Sequence, residues 1–190
     1  LPLPYYYLLS QGAQTAMMVE KSFPLPLPGM IHLKSKISQL DDVDPQIGLV
    51  IEAEAYIEDK STGSLLPEFT ERYYQNNKLV IEVQSKYLVK RKSKARSKVK
   101  REDPITSNEE SNWLSNAWRL KRFQSWSYAK LSGDFNPIHL SSIIAFISGF
   151  KRKIIHGWYL TSCIVAEVEK ETNMPAKSIE INFIKAVYLP

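Results

Sequence analysis

"YAKLSGDFNPIHLSSIIAFISGF", residues 128–150, leads through "KRK" into "IIHGWYL", residues 154–160. The first stretch carries its own punctuation. Asn136 is a preferred helix N-cap, Pro137 suits the first helical position, and Gly149 stands where a helix would stop. The spacing predicts one short helix over residues 137–148. Asp134, just ahead of it, favours the positive end of the helix dipole. Helix formation alone accounts for Asn136 and Pro137 but leaves His139 unexplained, because an imidazole in a first helical turn gains nothing from the dipole.

The same local geometry permits chemistry. Pro137 keeps Asn136 out of helical conformation and forces a turn between Asp134 and the helix. A carboxyl before that turn and an imidazole just after it can face one cavity and share a water as general base and general acid. Enclosure by Phe135, Ile138 and Leu140 would raise the carboxyl pKa and lower that of the imidazole, bringing both nearer neutrality. "IIHGWYL" supplies a third part. A glycine opening a helix leaves backbone N–H groups free and lets a ligand approach closely, which suits a carbonyl oxygen that gains negative charge. The plainer reading is that Gly157 permits a tight helix entry and His156 is a satisfied polar residue.

Together these residues resemble the MaoC-like dehydratase family, of the double-hotdog type, which includes the (R)-specific enoyl-CoA hydratases. The family pattern is an aromatic–alanine pair, S-G-D-x-N-P-x-H, an alanine, G-F, and a turn of A-H-G type; residues 127–160 follow it closely, and "FPLPLPGMIHLKSKI" follows the family's N-terminal half more loosely. The resemblance implies an α+β hotdog fold, a long central helix wrapped by a curved antiparallel sheet, with two such units and the second incomplete at its C-terminus. It implies a hydro-lyase acting on a 2-enoyl or (R)-3-hydroxyacyl thioester. Asp134 and His139 would activate the water, Asn136 would position the loop or the water, and Gly157 with His156 would meet the thioester carbonyl. No metal or further cofactor is expected beyond coenzyme A or a carrier protein as the substrate's handle. The alternative is a non-catalytic hotdog subunit that binds acyl thioesters. Ile155 and Trp158 stand where the family often has a small residue and a methionine, so Trp158 either narrows the acyl tunnel or fills core. Ser141 stands where an acidic residue is common.

Elsewhere the chain divides at "KRKSKARSKVKR", residues 90–101, which holds eight Lys/Arg and no acid. Net charge is +5, so the remainder carries about −3 and the chain is not basic as a whole. Three segments are expected: residues 1–89, a hotdog-like half without the catalytic motif; 90–111, a basic and polar linker; and 112–190, the hydratase half. In the first, "YYYLLSQGAQTAMMVEK" puts Tyr6, Leu9, Ala13, Ala16 and Met17 at helical spacing, and three antiparallel strands follow. In the last, "HGWYLTSCIVAEVEKE" reads as the central helix with an apolar stripe of Leu160, Ile164 and Val168, followed by one strand, "SIEINFIKAVYLP". The halves share a helix-then-strand order, so the second would lack two or more strands.

The basic tract has no interleaved aromatics, so nucleic acid is an unlikely partner and a solvated loop the simplest account. "FKRK", residues 150–153, is the better candidate for coenzyme A phosphates. His32 is expected to be structural. A single cysteine, Cys163, excludes an internal disulfide and fits a cytoplasmic protein. No stretch reaches the roughly 18 apolar residues of a membrane span. An acyl-thioester substrate is the main partner, and a homodimer is one assembly this reading allows.

Overall fold

A computed structural model describes residues 1–25, 30–60, 64–90 and 119–190. The linker and most of the basic tract therefore lie outside the described residues; Lys90 alone is seen, as the last residue of a strand.

The chain opens with helix α1 (Pro4–Val19), followed by strands β1 (Ile31–Gln39), β2 (Val50–Lys60), β3 (Ser64–Gln75) and β4 (Lys78–Lys90). Four short steps then build the second half: α2 (Gln124–Ser132), α3 (Pro137–Leu140), α4 (Ser142–Ile147) and the long α5 (Gly157–Thr172), closed by β5 (Ser178–Asn182). The strands form one antiparallel sheet in the order β2-β3-β4-β1-β5. This is the hotdog architecture expected of the sequence. The last strand does not stand apart: Ile37 of β1 pairs with Ile179 of β5, so the sheet runs unbroken from the first half into the second.

Among the described residues the first half has four strands rather than three. β3, "SLLPEFTERYYQ", escapes a reading by composition because Pro67 and four charged or amide side chains interrupt it. Its ladder to β4 runs through Leu65–Val89 and resumes at Glu68–Lys86, so Pro67 sits in a gap where its missing N–H costs nothing. The β3–β4 turn is set by Asn76 and Asn77, with φ of 48° and 61°, the two-residue turn that matches strand twist.

α1 lies against this sheet, but on a different face from the expected one. Tyr6, Tyr7, Ser10 and Gln14 are buried, whereas Met17 is only partly so. The reason is what the sheet presents. Phe69, Glu71, Tyr73 and Gln75 alternate inward along β3, and three of those four carry polar atoms that need partners. Ser10 Oγ meets the Tyr73 hydroxyl at 2.5 Å, Gln14 donates to Glu71 Oε2 at 3.1 Å, and Tyr73 donates to the Tyr6 carbonyl at 2.8 Å. The Tyr87 hydroxyl closes the row by donating to Gln14 Oε1 at 2.7 Å.

α5 differs from expectation in the same way. Its buried residues are Trp158, Thr161 and Val165, while Ile164 and Val168 are 42% and 37% exposed. The helix meets α1 through Trp158, whose ring stacks on Tyr7 at 4.0 Å and 16°. Trp158 thus belongs to the core cluster with Tyr6, Tyr7, Ile37, Tyr73, Val83, Tyr128 and Ile179. The alternative of filling core, raised by its bulk, is the one realised.

Candidate active site

The site is assembled where α2 gives way to α3. α2 ends on Gly133, whose φ of 76° is the left-handed conformation that glycine adopts without strain, and its N–H returns to the Ala129 carbonyl. Three short hydrogen bonds then fix the loop. The Asp134 N–H donates to Ser132 Oγ at 3.1 Å, the Asn136 N–H to Asp134 Oδ1 at 3.0 Å, and the Ile138 N–H to Asn136 Oδ1 at 3.3 Å. Asn136 is therefore the N-cap of α3, as its sequence context requires. Its side-chain oxygen is engaged within the loop, and one oxygen of Asp134 is committed to the turn.

The single helix expected over residues 137–148 is two. Ser141 is extended, with φ −124° and ψ 124°; it ends α3 and caps α4 by accepting from the Ile144 N–H. A hydroxyl that caps a following helix explains serine at this position. The break leaves His139 in a one-turn helix, 9% exposed.

His139 Nδ1 lies 3.0 Å from the Ile154 carbonyl. A carbonyl can only accept, so Nδ1 carries the proton and Nε2 holds the lone pair. By the same argument His156 donates from Nε2 to the Asp134 carbonyl at 3.0 Å. That leaves His156 Nδ1 buried with no hydrogen-bond partner. The two imidazoles stack at 3.9 Å and 30°, and Tyr128 packs on the outer side of His156 at 4.9 Å. Asp134 Oδ2 is 3.9 Å from His156 Nε2, with the aspartate side chain 22% exposed and that of His156 2%. One candidate ligand atom from each of Asp134, His139 and His156 lies within 4.8 Å of the other two. Asp134 and His139, predicted to face each other across the proline turn, do so, and His156 joins them.

Burial lowers the His139 pKa to about 4; neighbouring His156 pushes the same way, and Asp134 and the Ile154 carbonyl push back. Burial also lowers His156, against the pull of Asp134 and its carbonyl. Both rings are neutral near pH 7. The apolar enclosure is not the expected one: Phe135 is 53% exposed, and His139 is covered instead by His156 and the 154–155 segment.

Gly157 is the first residue of α5, so its amide is among those with no intrahelical acceptor. The space beside its Cα is taken. A Cβ there would sit 2.3 Å from Phe183 Cε1, so the glycine admits a packing partner rather than leaving an open approach.

Residues that local reading did not assign to the site surround it, most of them from the first half. Tyr7, Tyr87 and Tyr128 have pKa values raised chiefly by burial, with the charge of Asp134 adding to each. His32, lowered by burial to about 3, also feels Asp134. It stacks on Tyr87 at 4.3 Å and bonds the Tyr7 hydroxyl at 3.3 Å, the structural role expected of it. Tyr7, His32 and Tyr87 lie far from Asp134 in sequence, and only the fold brings them near. Of the three cations of "FKRK", Lys153 is 9% exposed and donates to the Arg122 carbonyl at 2.9 Å, whereas Lys151 and Arg152 are exposed.

Comparison with known proteins places this geometry. The family model described as MaoC like domain matches residues 90–190, more than half of the chain. The 3-hydroxyacyl-thioester dehydratase X of Mycobacterium tuberculosis is 24% identical over all of this chain and 67% of its own length. The crystal structure of HtdX of Mycobacterium tuberculosis superposes with a TM-score of 0.76 at 22% identity, covering 100% of this chain and 72% of that one. A MaoC-like dehydratase from Phytophthora capsici gives 0.63 at 23% identity, over 90% of this chain and 63% of its own. The motif at residues 128–160, the hotdog sheet and the matching domain agree, and the chain belongs to the MaoC-like dehydratase family.

Proposed function

We propose that this protein is a hydro-lyase that adds water to a 2-enoyl thioester, or removes it from the corresponding (R)-3-hydroxyacyl thioester, without a further cofactor. The substrate is carried on coenzyme A or a carrier protein, and the reaction is placed in the cytoplasm. The observation that carries this reading is the convergence of Asp134 and His139, each held by a hydrogen bond on its far side. Asp134 keeps one oxygen uncommitted to the turn, and His139 keeps a lone pair on Nε2. A water between them can donate to both.

In hydration the water oxygen bonds to C3 while one of its protons passes to the pair and a proton returns to C2. The sum consumes only water, and dehydration runs the same transfers backward. The electrons of the C2–C3 double bond move toward the thioester oxygen as the water adds. A backbone N–H at the α5 N-terminus, that of Gly157, is suited to that developing charge. The relative named a 3-hydroxyacyl-thioester dehydratase supports the same substrate class.

The test is hydration of crotonyl-CoA, followed by loss of enoyl-thioester absorbance. Asp134→Asn and His139→Ala should each lower the rate by about 10²–10⁴, the range of general acid–base contributions, with the circular dichroism spectrum unchanged. Near-normal rates in either variant would remove the mechanism. Binding of crotonyl-CoA by the wild-type chain without turnover would favour the non-catalytic thioester-binding subunit instead.

A further inference from the structure

We propose that His156 is a positioning residue, which holds Asp134 and His139 in register with the Gly157 amide without itself handling the water. The consequence for rate rests on the function proposed above; the geometry does not.

One side chain makes three connections. His156 is the N-cap of α5, yet its side chain makes no hydrogen bond to that helix. A capping side chain ordinarily accepts from the first turn; this ring turns away and leaves those amides alone. Its Nε2 instead donates to the Asp134 carbonyl at 3.0 Å, across 22 positions of chain. Its face lies on the His139 ring at 3.9 Å and 30°. The ring therefore fixes the backbone of the carboxylate, one face of the second imidazole and, through its own peptide bond, the glycine.

Little else locates the carboxylate. The hydrogen bonds within residues 132–138 shape the turn but do not place it against α5. Ile138 and His139 are tied to Ile154. Among the described residues, the bond from His156 is the one that ties Asp134 to the start of α5. Packing alone would not select this side chain. The ring is 2% exposed, and with Nε2 donating, Nδ1 is an acceptor that has no partner among the described residues. An unpaired buried acceptor is destabilising, so a phenyl ring would suit the same space better if filling it were the whole requirement. What the imidazole adds is the donor. Rates are sensitive to such placement, since a shift of about 1 Å in a reacting group can lower them about 10²-fold.

The experiment uses the whole chain and crotonyl-CoA, with two substitutions that separate the ring from its donor. His156→Phe keeps a ring against His139 and loses the donor. His156→Gln keeps an N–H donor of similar reach and loses the ring. His156→Phe should lower kcat about 10²-fold, with KM little changed and no matching fall in the thermal midpoint, and His156→Gln should recover most of that loss. The carbonyl carbon-13 resonance of Asp134 reports the bond directly. It should move upfield in His156→Phe, as an acceptor does on losing its donor, and return in His156→Gln. Normal kcat in His156→Phe, or a kcat that falls only in step with the midpoint, would overturn the proposal. So would an equal loss of kcat in both variants with the Asp134 resonance unmoved. A wild-type chain that does not turn over crotonyl-CoA would refute the enzymatic reading, and the resonance would then decide alone. Its shift in His156→Phe and return in His156→Gln would uphold the tie to Asp134, and no shift would refute it.

Discussion

Gly157 shows how one absent methyl group can organise a site. Phe183 occupies the place where its Cβ would lie, with Cε1 2.3 Å and Cδ1 2.7 Å away. Phe183 in turn sits 4.8 Å from the ring of His32, so it cannot retreat freely. Gly157→Ala should therefore destabilise the protein by about 1–3 kcal/mol, the usual cost of overpacking, read as a lower thermal midpoint. Adding Phe183→Leu should restore part of that loss, because the smaller side chain vacates the contested space. An unchanged midpoint in Gly157→Ala would show that the contact yields at no cost. Sequence places Gly157 correctly at the start of a helix. It cannot reveal Phe183, which arrives from the far end of α5 and β5. Asp134 and His139 are legible for the opposite reason: a proline turn of five residues determines their relation, and no distant part of the chain is needed to infer it.

At the scale of elements, the break at Ser141 decides how His139 is held. A continuous helix over 137–148 would turn on through 141; instead an extended residue ends one turn and caps the next. Ser141→Ala should cost about 0.5–2 kcal/mol, the range for a lost N-cap, and Asn136→Ala a similar amount. Asn136→Ser should preserve most of the stability, since a hydroxyl can still accept from the Ile138 N–H. Denaturant unfolding of the three variants checks the order; equal stability of Asn136→Ala and Asn136→Ser would discount the cap. α1 and α5 were legible as helices but not in orientation. Apolar periodicity points α1 inward through Leu9 and Met17, whereas the sheet opposite carries Glu71, Tyr73 and Tyr87 and draws in Ser10 and Gln14. A polar patch on a sheet selects the polar face of its helix. Neither sequence segment contains that information by itself. β3 was missed because Pro67 reads as a breaker until its partner strands are known.

Across the whole molecule, Glu71 couples this buried polar row to pH. The side chain is fully buried in the core and holds its carboxyl pKa at about 8, raised from 4.5 by burial, with Gln14 and Ser10 opposing the rise. The folded chain thus keeps a proton that the unfolded chain releases over that interval. The contribution of Glu71 to stability should fall as pH rises from about 4.5 to about 8 and level off beyond, at up to about 1.4 kcal/mol per unit. His32, His139 and His156 act in the opposite sense, since burial holds all three under the ordinary 6.5, the first two at about 3 and about 4, but their effect is confined to pH below 6.5. Between pH 6.5 and 8 the carboxyl acts without that opposition. Thermal midpoints should decline across this window in the wild type and stay level in Glu71→Gln; matching slopes would mean that Glu71 is ionised in the fold. The sheet that carries Glu71 is completed late. Ser38 of β1 meets Ser178 of β5 across 140 positions of chain, and contacts of such separation slow folding because the loop must close before they form. On the ribosome, β1 therefore waits for the 140 positions between Ser38 and Ser178 to be made before its second flank is covered, and during synthesis that open margin is where a chaperone or a neighbouring nascent chain would first take hold.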